Sequence, residues 1–125
     1  MCCIPKRING KQMEQGEIWD INLGKTHESD IEGKCSVIVI NDDTINSLPS
    51  RVIVPLADWQ DKFDNAIWLI RINPNDENNL DRISAVDAFQ LQTISTSRFI
   101  KKVGKVSAKE LLHIKNAVKA IISAE

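Results

Sequence analysis

Nowhere in its 125 residues does the sequence hold a run of about 18 apolar side chains, so no membrane-spanning helix is expected. The first residues lack the long apolar core of a signal peptide, and the cytoplasm is the expected compartment. Cysteine is scarce: Cys2 and Cys3 are adjacent, Cys35 stands alone, and no C-x-x-C spacing offers a metal-binding pair. Cys35 opens an apolar run and is expected to be buried and inert. No metal and no cofactor are expected. An excess of one charge is missing too. Sixteen basic against seventeen acidic residues leave a formal charge of -1, so the chain as a whole is no general polyanion binder. No internal repeat or low-complexity segment interrupts it.

What is present fits one soluble domain. Residues 1–15 are polar, with Pro5 and Gly10, and read as an irregular lead-in, leaving residues 16–125 as the domain. The charge is unevenly spread. From Arg98 to the end there are seven Lys or Arg against two Glu, while Ala57 to Asp87 holds seven acids against three bases. Such asymmetry fits either a basic binding face or a solvated helix surface.

The hydrophobic pattern is mostly that of strands. In Glu17 to Leu23, residues Trp19, Ile21 and Leu23 alternate with Asp20 and Asn22, the period of a half-buried strand. Cys35 to Ile40 is continuous and rich in β-branched residues, as expected of a strand covered on both faces. Arg51 to Leu56 is a third strand, which Pro55 should end at an edge or bulge. Ala66 to Ile72 is a fourth, closed by the turn Asn73-Pro74-Asn75-Asp76. Ser84 to Leu91 alternates as a fifth, Thr96 to Phe99 reads as a turn or short helix, and Ile100 to Val106 as a strand broken at Gly104. Ser107-Ala108-Lys109-Glu110 is a capping-box pattern, and Leu111, Ile114, Val118 and Ile121 follow helical spacing behind it. The expected fold is therefore mainly β: a small, curled antiparallel sheet with one C-terminal helix.

The loop between the first two strands gathers His27, Glu28, Gly33 and Lys34, the densest group of chemically capable side chains in the chain. A solvated histidine and a surface lysine are the plain alternatives. Beyond the loop, Lys101, Lys102 and Lys105 either follow a phosphate backbone or keep an edge strand soluble. Trp19, Trp59 and Trp68 fit a core or an interface better than stacking platforms for bases.

The order of motifs resembles the MazF/PemK toxins. The matching stretches are Gly16-Glu17-Ile18-Trp19, His27-Glu28, Gly33-Lys34-Cys35 and Val37-Ile38-Val39-Ile40-Asn41-Asp42, then Val52-Ile53-Val54-Pro55-Leu56-Ala57. Phe89-Gln90-Leu91-Gln92-Thr93-Ile94-Ser95 and Val103-Gly104-Lys105-Val106 with the helix behind them complete the series. The resemblance implies an SH3-like or gyrase-toxin-like barrel of five to seven strands and a homodimer; the sequence itself offers an apolar patch from Trp59, Phe63 or the terminal helix for such an interface. It also implies a cognate antitoxin protein and sequence-selective cleavage of single-stranded RNA. That cleavage needs no metal, because a ribose 2′-OH attacks the adjacent phosphate. On this reading His27 moves protons, Lys34 supplies charge to the phosphate and Asp58 is a second acid–base group. Glu28, Gln92, Thr93, Lys101 and Lys102 then contact RNA.

The sequence departs from the family pattern at identifiable points. Lys34-Cys35 stands where the family has Arg-Pro, and Ala57 where it has a hydroxyl residue. Gln92 replaces an arginine, and Phe89 and Ser95 replace acids. Lysine keeps the charge but loses the bidentate fork. These changes define a second reading: a PemK-like domain that has lost catalysis and binds RNA or a protein partner.

Overall fold

A computed structural model describes residues 13–22 and 34–123. Its elements are β1 (Glu17–Asn22), β2 (Lys34–Val39), β3 (Ser50–Asp58), β4 (Leu69–Ile72), β5 (Ser84–Asp87), β6 (Gln92–Ser95), β7 (Phe99–Lys105) and α1 (Ala108–Ile122). The strands form one antiparallel sheet in the order β4-β5-β3-β2-β1-β7, with β6 also paired to β3. This is the mainly β fold with a terminal helix that the hydrophobic pattern suggested.

Strand alternation sorts the apolar residues into two cores. Trp19 and Ile21 of β1 join Val37, Val39, Ile53, Ile94, Phe99 and Met13 on one face. Ile18, Ile38 and Val54 point the other way, to Ile72, Val86, Val106 and the helix residue Ile114. β1 is thus covered on both faces at Ile18 and Trp19, not half-buried, because the helix and the β4–β5 hairpin build a second core against its outer side. Met13 is already in the first core, and its carbonyl accepts from buried Arg51 Nε at 2.9 Å.

β3 does not stop at Pro55. It runs on to Asp58 because it changes partners: β6 covers Ser50 to Ile53, and β5 covers Leu56 to Asp58 on the same flank. Val52 turns its amide and carbonyl toward the β2 side, bonding Asn41 Oδ1 and the amide of Ile40. By alternation residue 55 faces the gap between β6 and β5, where no ladder donor is required.

The fifth strand is shorter than its alternation suggested. It ends at Asp87, whose Oδ1 accepts from the amide of Phe89 and starts a 3-10 turn over Ala88–Gln90. The fourth starts at Leu69, three residues later than expected. β6 has no counterpart in the hydrophobic pattern, since only Ile94 of its four residues is buried.

In β7 the register to β1 slips: Ile18 pairs with Gly104, but Trp19 pairs with Lys102. Gly104 does not break the strand. It lets the backbone of Glu77 and Asn78 close in, with a Cβ at 104 falling 2.4 Å from the Glu77 carbonyl oxygen. Helix α1 starts as the capping box dictates: Ser107 Oγ accepts from the Glu110 amide at 3.1 Å, and Glu110 Oε1 accepts from the Ser107 amide at 2.9 Å. Among the described residues, no helix is long and apolar enough to cross a membrane.

Candidate functional site

Asp20 is the polar interruption in β1, and the register fixes its neighbours. It lies opposite Ser36 on β2 and opposite Lys101 on β7, so three polar side chains stand in a row across three strands. The row occupies the same face as Ile18 and Ile38 but lies one step further along the strands, past the apolar core. Ser36 Oγ donates to Asp20 Oδ1 at 2.7 Å. The end of β3 brings up Leu56, Ala57 and Asp58, and residues 79–84 form the facing wall. Together with Lys102 and Val103 they enclose an open cleft of about 930 Å³.

The wall segment is pinned from both sides. Asn79 adopts a positive φ of 55°, and its Nδ2 donates to the Val103 carbonyl at 2.8 Å. The buried Asn78 accepts from the amides of Leu80 and Asn75. Beyond the bend, the Ile83 carbonyl accepts from the Trp59 amide, and the Arg82 carbonyl accepts from Ser84 Oγ. The backbone that carries Arg82 is therefore fixed while its side chain reaches into solvent.

Charges in the cleft differ in how firmly they are held. Lys102 Nζ lies 3.1 Å from Glu17 Oε2, a carboxylate only 12% exposed whose other oxygen accepts from Trp19 Nε1. Arg82 Nη1 donates to Asp58 Oδ2 at 3.5 Å, the outer limit of a hydrogen bond, with the two side chains 66% and 69% exposed. Such a solvated pair contributes little to stability and opens readily. Among the described residues Lys101 makes no ion pair. Cys35 also lines the cleft and is half-buried instead of fully so. Burial, and then the negative charge of Asp20, push its thiol above the ordinary range, so it stays protonated and a poor nucleophile near neutrality.

The candidate residues of the sequence fall into three groups. Asp58, Lys101 and Lys102 line the cleft although they come from distant parts of the chain. Gln92 and Thr93 do not. They are exposed on β6, paired with Ile53 and Val52, and are absent from the cleft lining. His27 and Glu28 lie outside the described residues. Of Lys34 the backbone is described: it opens β2 opposite Asn22, one residue before Cys35 at the cleft. The tryptophans also separate. Trp19 is a core residue edge-on to Phe99, Trp59 packs against Phe63 beneath Arg71, and Trp68 is exposed.

Sequence reasoning missed Asp20, Ser36 and Arg82. The polar breaks in two strand patterns were the available signal for Asp20 and Ser36. Arg82 carried none, being one charge in a polar connection. Among the described residues no group of three or more His, Cys, Asp or Glu is placed to hold a metal ion.

Fold and cleft define a small β domain that presents a polar, mixed-charge groove beside its central strands. The model of the PemK-like, MazF-like toxins of type II toxin–antitoxin systems matches residues 14–122, and the chain belongs to that family. The endoribonuclease MazF9 of Mycobacterium tuberculosis is 26% identical over 113 residues, covering 86% of this chain and 93% of its own length. Among solved structures, an endoribonuclease in complex with its cognate antitoxin from a mycobacterial species superposes with a TM-score of 0.71. It is 16% identical and covers 90% of this chain and 96% of its own. A MazE–MazF structure from Deinococcus radiodurans gives a TM-score of 0.70 at 12% identity, covering 90% and 97%.

Proposed function

We propose that the protein is the toxin of a toxin–antitoxin pair, a sequence-selective endoribonuclease acting on single-stranded RNA. The observation that carries this reading is the convergence of Asp58 and Lys101 on one open cleft, in a chain matched to the family from residue 14 to 122. The nucleophile comes from the RNA itself. The 2′-oxygen attacks the adjacent phosphorus, its proton passes to a base, the bond to the 5′-oxygen breaks, and that oxygen receives a proton from an acid. The product strand ends in a 2′,3′-cyclic phosphate.

His27 and Asp58 share the acid and base work in this scheme. Lys34 stabilises the charge that builds on the phosphorane, and Lys101 contacts the strand in the cleft, with Lys102 at its edge in its pair with Glu17. Glu28, Gln92 and Thr93 contact the RNA further along. No cofactor takes part. Two further partners follow from the same reading, a cognate antitoxin and a second copy of the chain. The solved relatives that carry an antitoxin support the first. Exposed Ile67 and Trp68, which lead into β4 beside the turn bearing exposed Phe89, supply apolar surface for a protein partner.

One observation favours a second reading. Ala57 stands exposed where the family has a hydroxyl, so a transition-state donor is absent there. The protein would then bind RNA or protein without cutting. Incubating the purified protein with mixed-sequence single-stranded RNA in EDTA, beside His27→Ala, Lys34→Ala and Asp58→Ala, decides between them. Cyclic-phosphate fragments from the parent and their loss in the variants are expected. Intact RNA at every protein excess, with folding verified, would sink the ribonuclease reading.

A further inference from the structure

We infer that Arg82 is the phosphate-gripping cation of this cleft, and that an incoming RNA phosphate takes its guanidinium away from Asp58. The inference rests on the ribonuclease reading above and adds to it a residue which that reading does not use. Three observations converge on it. The backbone on both sides of Arg82 is held by hydrogen bonds, from Asn79 to Val103 and from the Trp59 amide to Ile83, so the side chain pivots from a fixed point. Its present partner is held weakly, at 3.5 Å between side chains that are both about two-thirds exposed. Its neighbours in the cleft leave a task open: Lys102 is committed to Glu17, whereas Lys101 is a single point charge without an ion pair among the described residues.

A guanidinium supplies what lysines cannot. Its planar fork gives two parallel N–H donors to two phosphate oxygens, and it is less strongly hydrated than an ammonium. A phosphodiester seated between Arg82 and Lys101 carries the same single charge as the Asp58 carboxylate, but it offers the fork two oxygens in place of one long contact of 3.5 Å and gains negative charge as the phosphorane forms. Asp58 is then released beside the bound phosphate, with its oxygens available to accept a proton. Substrate binding and the freeing of the base become one event.

The test uses the full chain and its Arg82→Ala and Arg82→Lys variants, with Lys109→Ala on the outer surface of α1 as a control. Cleavage of mixed-sequence single-stranded RNA is timed. Binding of a 2′-O-methyl oligoribonucleotide, which cannot attack its own phosphate, is followed by fluorescence anisotropy across a salt series. Arg82→Ala is expected to cleave roughly 100-fold more slowly, in line with loss of a transition-state charge partner. It should also flatten the slope of log affinity against log salt by about 0.7, the value for one phosphate contact on a single strand. Arg82→Lys should keep the slope but remain roughly tenfold slow, because the charge survives without the fork. The thermal midpoint should match the parent in each variant.

If Arg82→Ala keeps the parent's rate and salt slope, the inference is overturned and the ribonuclease reading stands. If the parent binds RNA without cutting it, the slope alone decides: unchanged in Arg82→Ala, it overturns the inference. A parent that neither binds nor cuts overturns both.

Discussion

Replacing Gly104 with alanine puts a Cβ 2.4 Å from the Glu77 carbonyl oxygen and 2.6 Å from that of Asn78. Real Cβ contacts are not found under 3.0 Å, so the gap must open by about 0.6 Å against backbone on both sides. No flexible side chain is available to absorb the move. Two hydrogen bonds tie these segments, from the Lys105 amide to the Glu77 carbonyl at 3.0 Å and from Asn79 Nδ2 to the Val103 carbonyl at 2.8 Å. Each contributes about 0.5–1.5 kcal/mol. Overpacking of a well-filled site adds ~1–3 kcal/mol. Partial weakening of both bonds with moderate strain gives a loss of about 2–4 kcal/mol.

Urea unfolding followed by tryptophan fluorescence measures this directly, since Trp19 is buried at 5% exposure and lies in the core bordered by β7. For a domain of this size the thermal midpoint should fall by roughly 6–20 °C. The same change loosens the wall that carries Arg82, so RNA cleavage should weaken even at temperatures where Gly104→Ala is folded. An unfolding free energy within half a kcal/mol of the parent, at equal m-value, would refute the reasoning: the approach of β7 to residues 77 and 78 would then be soft.

Other changes probe separate parts of the structure. Ile114→Ala removes a fully buried side chain from the helix-facing core and should cost ~2–5 kcal/mol in urea unfolding. Ser107→Ala deletes the oxygen that accepts from the Glu110 amide and should cost about 1 kcal/mol, read by the same assay. In a Cys2→Ser, Cys3→Ser background, alkylation of Cys35 by iodoacetamide should lag behind that of a free cysteine at pH 8. A raised thiol pKa means less thiolate at any given pH. Asp20→Asn should speed the reaction only in part, because burial outranks the Asp20 charge as the cause.

Much of the fold was legible where local pattern and tertiary burial agree. The β-branched run at Cys35 to Ile40 and the capping box at Ser107 each name their element with a local mechanism, and both elements form. The misreadings have physical causes. Ser84 to Leu91 alternates throughout, but the Asp87 carboxylate captures the Phe89 amide and bends the chain after four residues. β6 escapes notice because it needs only Ile94 for the core and owes its existence to unpaired backbone on the flank of β3. Pro55 misleads because a partner change along one strand leaves no trace in one dimension.

The site is less legible than the fold for a related reason. Asp58, Arg82 and Lys101 meet through sheet pairing and a loop bend, and no spacing in the sequence encodes that meeting. Their meeting also bears on how the cleft would select a ligand. Asp20, Asp58 and Asp81 line it against Arg82, Lys101 and Lys102, so its formal charges cancel in sum. A cleft without net positive charge exerts no general pull on polyanions. On the proposed function and the inference drawn for Arg82, RNA is therefore held by a few directed contacts, at Lys101 and at the guanidinium that Asp58 would give up. Binding of that kind has a shallow salt dependence and leaves most of the discrimination to the fit of the bases, which is what a sequence-selective nuclease requires.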